Sequence, residues 1–266
     1  MRHVVITGGT RGIGLGLVRE FLHRGFNVSF CGSADSTVMR AMSVLSEKWP
    51  VKKFRGVVCD VTNQDELLNL WNFSTKIFGS VDIWINNAGI SNFLAPFNEI
   101  GHGPLSRLVD VNIKGPMYGT HLAFNKMLEQ EKGFIYNTGG LGSDGRMVKG
   151  MTPYGSSKRA VQYFTLAFAR EIKNDSPVKV GLLMPGMVIT DMLLEPLRRG
   201  DYNSKKLRRI YNLLAGEVDT VAPVLAEKML NNNRNAAVIS FSSPLKMFFK
   251  VPGRLLSGRD IVSDKL

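Results

Sequence analysis

The chain of 266 residues is poor in cysteine, with only Cys31 and Cys59, and its four histidines are scattered. No Cys/His group has the spacing of metal ligands, so no metal site is expected. Each cysteine ends an apolar, strand-like run, as small buried residues of a reducing compartment do. No apolar run approaches the ~20 residues that a membrane-spanning helix needs. Met1-Arg2-His3 leads straight into Val4-Val5-Ile6, without the charged, apolar and small-residue regions of a secretory signal. Together these features set the expectation of a cytoplasmic protein. Low-complexity segments, internal repeats and linkers are also missing. Aromatic residues do not alternate with the basic ones as on a stacking platform, so no nucleic-acid partner is expected.

What is present fits one α/β domain. Hydrophobic residues make up 44% and charged residues 21% of the chain. Short β-branched or apolar runs at 4–6, 27–31, 53–59, 81–85, 133–137, 178–184 and 236–241 predict strands. Amphipathic stretches between them predict helices, among them 36–48, 63–77, 153–174, 191–215 and 219–231. Leu105 to Tyr118 fall in one further helix, with Asn112 inside its apolar run. Persistent alternation of strand and helix predicts a single doubly wound parallel sheet over residues 1–240, with helices on both faces. Residues 241–266 form a basic, apolar tail. Net charge is +12, and much of it comes late: Arg198, Arg199, Lys205, Lys206, Arg208 and Arg209, then Lys246, Lys250, Arg254 and Arg259. Such a balance suits anionic ligands or an anionic surface, or serves only solubility.

Three stretches carry chemistry. Gly8-Gly9-Thr10-Arg11-Gly12-Ile13-Gly14 lies between the first strand and the first helix. There, glycines let the backbone approach a pyrophosphate, and the helix N-terminus offers free N–H groups. The second strand ends in Gly32-Ser33 rather than in a carboxylate, and Arg11 can face a 2′-phosphate. This predicts NADPH over NADH; the rival is that Asp35 reaches back to the ribose. Tyr154 and Lys158 are four residues apart, on one helix face. A neighbouring ammonium favours the phenolate, so Lys158 is expected to lower the Tyr154 pKa for proton exchange with an alcohol or carbonyl. The plain alternative is a solvated helix face.

The sequence resembles the short-chain dehydrogenase/reductase family over about residues 1–240. The matches are the glycine-rich turn, Asp60, Asn86-Asn87-Ala88-Gly89, Asn112, Tyr154 with Lys158, and Pro185-Gly186 followed by Thr190. The resemblance implies a Rossmann-type sheet of about seven strands with ligands at the strand C-terminal ends. It also implies roles. Gly8, Gly12 and Gly14, with Thr10 and Ile13, hold the pyrophosphate. Asp60 and Val61 contact the adenine. Asn86, Asn87, Ala88 and Gly89 line the ribose side, and Ser33 lies at the 2′ position. Pro185, Gly186, Val188 and Thr190 bound the nicotinamide. Tyr154 is the acid in reduction, Lys158 bonds the nicotinamide ribose, and Asn112 holds a relay water. Homodimers or homotetramers are implied.

One departure stands out. The family has a Ser-Ser pair after the fifth strand, whose second Ser bonds the substrate carbonyl; here Gly139 and Gly140 fill those places. Ser143 is the expected substitute, with Thr138 as runner-up; otherwise the role is lost. The run Gly139-Gly140-Leu141-Gly142-Ser143-Asp144-Gly145 resembles the chlorophyll b reductase branch, which reduces a formyl group on the chlorophyll macrocycle. Methionines and leucines between Met187 and Leu214 are expected to form a mobile lid, about residues 187–216. The tail at Pro244–Pro252 is expected to touch an anionic membrane surface or to pack on protein. The leading expectation is reduction of a bulky apolar aldehyde or ketone. The runner-up is a 3-oxoacyl or steroid-type reductase, and the alternative of another class is a cofactor-binding regulator or scaffold.

Overall fold

The computed structural model describes residues 2–92, 94–200, 204–241 and 260–266. Among the described residues nine strands form: β1 (His3–Ile6), β2 (Asn27–Gly32), β3 (Phe54–Val58), β4 (Ile83–Asn86), β5 (Gly133–Thr138), β6 (Val178–Met184), β7 (Val188–Ile189), β8 (Gly216–Glu217) and β9 (Val238–Ser240). The helices are α1 (Gly12–His23), α2 (Asp35–Ser46), α3 (Gln64–Phe78), α4 (His102–Val109), α5 (Gly115–Glu129), α6 (Thr152–Glu171), α7 (Asp191–Arg198), α8 (Ser204–Leu214) and α9 (Val218–Leu230). Seven strands make one parallel sheet in the order β3-β2-β1-β4-β5-β6-β9. The strand order reverses between β1 and β4, the crevice where doubly wound sheets bind ligands.

Alternation along the strands builds two cores. Val4, Ile6, Val28, Phe30, Ile83 and Ile85 face α1, α2 and α9. Val5, Cys31, Trp84, Ile135 and Val180 face α3, α5 and α6. Every side chain of β1 and β4 is buried, as expected of central parallel strands covered on both faces.

Two features differ from the expected elements. The helix expected to run through Asn112 is α4, a π-helical turn at Asp110–Lys114, and α5. Such turns recur at functional sites. The amphipathic stretch expected at 191–215 is two helices, broken where Gly200 takes a φ of +69°. These helices sit beside the small parallel ribbon of β7 and β8. Their apolar side chains pack mainly on one another and on the chain end: Ile189, Leu194, Tyr211 and Val262 are its buried centre. Asp260 pairs with Arg208 at 2.8 Å, and Lys265 pairs with Glu217 at 2.7 Å. The expected membrane-contact stretch, Pro244–Pro252, lies outside the described residues.

Candidate active site

The glycine-rich turn begins directly after β1. Gly8 and Gly12 take φ values of +64° and +54°, where a side chain is strained. A Cβ on Gly8 would sit 2.8 Å from Ala88 Cα, and one on Gly14 would strike the Gly8 carbonyl oxygen. The turn is stitched to the stretch after β4. Thr7 Oγ1 accepts the Asn87 and Ala88 N–H groups at 3.0 and 3.2 Å, and Asn87 Nδ2 donates to the Thr7 and Gly8 carbonyls, both at 3.1 Å. Asn86 is buried and serves this frame instead of lining the cleft: its Nδ2 donates to Asn137 Oδ1 at 2.8 Å.

Between these stretches lies a cleft of about 270 Å³. Gly8, Thr10, Arg11, Gly12, Ile13 and Gly14 form one wall. Gly32 and Ser33 stand at the end of β2, with Thr37 beside them. Asp60, Val61, Asn87, Ala88, Gly89 and Thr190 complete the expected lining. Pro185, Gly186 and Val188 follow β6 but do not line this cleft; Val188 is buried in β7. Asp35 opens α2 and is not part of the lining. The cradle fits a dinucleotide: the glycine turn has no room for Cβ atoms, and Asn87 Oδ1 is buried without a partner among the described residues.

Sequence reasoning missed Arg107. It comes from α4, lines the cleft, and donates to Asp60 Oδ2 at 2.9 Å. Burial alone would push the Asp60 carboxyl up. The Thr62 N–H and hydroxyl and the Arg107 guanidinium outweigh it and hold the carboxyl below its usual value. The loop is fixed from α3, whose Glu66 accepts the Asp60 N–H at 2.7 Å. Asn63 caps that helix by accepting the Asp65 and Glu66 N–H groups.

Tyr154 and Lys158 lie in the first two turns of α6. Lys158 is buried, donates to the Thr138 carbonyl at 3.0 Å, and stands 5.8 Å from the Tyr154 ring centroid. Gly89 fits between the elements: a Cβ there would be 3.4 Å from both Asn112 Oδ1 and Lys158 Nζ. Asn112 is fully buried. Its Oδ1 accepts the Ile90 N–H at 2.8 Å, and its Nδ2 donates to the Ile90 carbonyl and to Ser157 Oγ at 2.9 and 3.0 Å. The amide thus holds the stretch after Gly89 against α6, and both its N–H groups are used.

The protein's own groups do not lower the Tyr154 pKa as expected. Desolvation pushes the phenol up to about 12 and pulls the Lys158 ammonium down to about 8. The ammonium is directed to the Thr138 carbonyl, so burial outweighs the attraction between the pair.

Ser143 also needs correction. Its hydroxyl is fully buried, donates to the Lys158 carbonyl at 3.0 Å, and accepts the Gly140 N–H at 3.0 Å. In this arrangement its one proton is given to the Lys158 carbonyl inside the protein, so the hydroxyl supports the loop rather than facing the cleft. Thr138 Oγ1 is buried without a partner among the described residues. The place of the usual serine is taken by the phenol itself: a Cβ on Gly140 would lie 2.7 Å from Tyr154 Oη. Gly142, at φ +92°, lets the loop pack backbone to backbone on α6, since a Cβ there would be 2.6 Å from Gly155 Cα.

A dinucleotide cleft at the sheet's switch point, with a half-buried tyrosine and a buried lysine on the adjoining helix, defines a nicotinamide-type oxidoreductase site. The family model described as short chain dehydrogenase matches residues 2–198, and the chain belongs to that family. Among curated relatives, chlorophyll(ide) b reductase NOL of Oryza sativa subsp. japonica is 32% identical over 264 residues, covering 96% of this chain and 76% of the relative. The 3alpha-hydroxysteroid dehydrogenase of Mediterraneibacter gnavus is 35% identical over 189 residues, 71% of this chain and 74% of that protein. The crystal structure of levodione reductase superposes with a TM-score of 0.81 at 24% identity, covering 90% of this chain and 95% of that one. At that identity the likeness speaks for the fold. The protein is an oxidoreductase of the short-chain family.

Proposed function

We propose that the protein is an NADPH-preferring reductase of a bulky apolar aldehyde, with the formyl group of a chlorophyll-type tetrapyrrole as the first candidate. The carrying observation is the Tyr154 phenol, seated on Gly140 and kept protonated by burial beside the dinucleotide cleft. When bound, the cofactor supplies a hydride. Tyr154 Oη donates the proton that the developing alkoxide needs. Lys158 and Asn112 hold the phenol's surroundings in register through Thr138, Ile90 and Ser157. Support for NADPH comes from the end of β2, where Gly32, Ser33 and Thr37 rather than a carboxylate line the cleft, with Arg11 on the glycine-rich wall. Similarity to chlorophyll(ide) b reductases over 96% of the chain supports the formyl substrate. A steroid ketone is the second reading, favoured by the 35% identity to a hydroxysteroid dehydrogenase.

The test follows oxidation of NADPH and of NADH by the purified protein with chlorophyllide b, flat aromatic aldehydes, 3-oxosteroids and 3-oxoacyl thioesters. The expected outcome is turnover of bulky aldehydes with NADPH, and loss of about 10²–10⁴ in kcat in Tyr154→Phe with cofactor binding retained. Full activity of Tyr154→Phe would remove the proton donor. Stronger thermal stabilisation by NADH than by NADPH would reverse the cofactor preference. Tight cofactor binding with no turnover of any carbonyl would favour a regulator.

A further inference from the structure

Two loops meet at the start of α6. One leaves β4 through Ile90, Ser91 and Asn92; the other runs from Gly139 to Met151 and delivers Tyr154. Asn92 joins them. Its Nδ2 donates to the Gly150 carbonyl at 2.6 Å, and its Oδ1 accepts the backbone N–H of Tyr154 at 3.3 Å. No side chain at the helix's own N-cap, Met151, performs that second task. The cap comes instead from 62 positions earlier in the chain. The loops also touch at a strained point. Leu94 takes a φ of +55°, and a Cβ on Gly150, itself at +80°, would lie 3.0 Å from the Leu94 carbonyl carbon and oxygen. Leucine rarely adopts that region, so the surroundings hold it there. Beyond the junction both loops expose apolar side chains: Phe97 is 57% exposed on one, and Met147 is 98% exposed on the other.

We propose that Asn92 is a positioning residue that fixes the spacing of these two loops, and so sets the preference for bulky over small carbonyl substrates. The proposal rests on the reductase reading above. A small aldehyde reaches the Tyr154 phenol without touching the outer parts of the loops. A large flat one must lie between them, and its carbonyl is then aligned only as well as the loops are spaced. The Asn92 amide is suited to the task because it both donates and accepts, joining one loop to the other loop's carbonyl and to the helix that carries the phenol.

Asn92→Ala removes both bonds. Gly150→Ala leaves the Asn92–Tyr154 bond in place but drives a methyl group against Leu94. For wild type and both variants, kcat/KM is measured with butanal and with pyrene-1-carboxaldehyde, alongside NADPH affinity and thermal stability. The expected result is a fall of about tenfold in the pyrene-to-butanal ratio in both variants, with NADPH affinity unchanged. Hydrogen exchange should quicken in both loops together in Asn92→Ala. An unchanged ratio, or one that falls only with cofactor affinity, overturns the proposal while leaving the reductase reading intact. A wild type inert to both aldehydes and to the wider carbonyl panel overturns the reductase reading, and this proposal with it.

Discussion

Ser143→Ala separates two roles for a serine beside an active site. In the structure its hydroxyl bridges the Gly140 N–H and the Lys158 carbonyl, each at 3.0 Å, in a fully buried position. Alanine leaves the Gly140 N–H without its acceptor. Stripping one buried donor of its partner costs about 1–3 kcal/mol. For a domain of this size each kcal/mol lowers Tm by about 2–4 °C, so a fall of several degrees is expected. The backbone keeps its course, because the Ser143 N–H still donates to the Gly140 carbonyl and Arg159 still bonds the Ser143 carbonyl. Activity should therefore fall by less than about tenfold, since a group that stabilised the transition-state oxygen directly would cost about 10²–10³. Calorimetry and steady-state kinetics on one preparation read both quantities. An unchanged Tm with a loss of 10²-fold or more in kcat would refute the reasoning and return Ser143 to the substrate.

Gly140→Ala places a methyl group 2.7 Å from Tyr154 Oη; the phenol must move, and a misplacement of about 1 Å is expected to cost on the order of 10² in kcat, with NADPH affinity kept. Lys158 has a folded pKa of about 8 against 10.5 in the unfolded chain. The unfolded state therefore holds the extra proton in that window, and stability of the cofactor-free protein rises as pH climbs from about 8 to 10.5. The full shift is on the order of 3 kcal/mol. Tyr154 acts in the opposite sense only above pH 10, losing its contribution as pH rises through about 12. Hydrogen bonding to Cys31 and burial hold the Cys59 thiol well above its usual range, which opposes the rise above about pH 9, so the readout is the difference: wild-type stability relative to Lys158→Met should climb between pH 8 and 10. Arg107→Ala breaks a largely exposed pair with Asp60 and should leave Tm nearly unchanged, yet weaken NADPH binding measured by calorimetric titration.

The seven-stranded sheet was legible because each strand's apolar run is short and separated from the next by a helical pattern. That alternation admits few topologies. The glycine turn was legible for a related reason: its meaning is set by the strand before it and the helix after it, both local. Arg107 was not legible. It reaches Asp60 from 47 positions away, on a helix whose pattern gives no reason to single it out. Asn92 was hidden in the same way. The π-helical turn at Asn112 left no mark either, since one extra residue in a turn barely changes an apolar period over so short a stretch. Ser143 was legible as special, but not the direction of its hydroxyl, which bonds the Gly140 N–H and the Lys158 carbonyl. Which way a hydroxyl turns in a glycine-rich loop depends on the tight turn from Gly140 to Ser143 and on the Gly142–Gly155 contact, and neither is a property of local spacing.

The Tyr154–Lys158 pair shows why the sign of a pKa shift cannot be taken from a pair of residues alone. Four residues of helix bring the charges near enough for attraction, and attraction alone lowers the phenol. Yet the same helix face is the buried one, where both charged forms lose water. Lys158 spends its bond on the Thr138 carbonyl, and what remains for the phenol does not offset desolvation. A tyrosine held near 12 keeps its proton across the physiological range. That is the form needed to protonate an alkoxide, and the wrong form to deprotonate an alcohol. Glycine at 140 leaves the phenol its space, since a Cβ there would lie 2.7 Å from Tyr154 Oη.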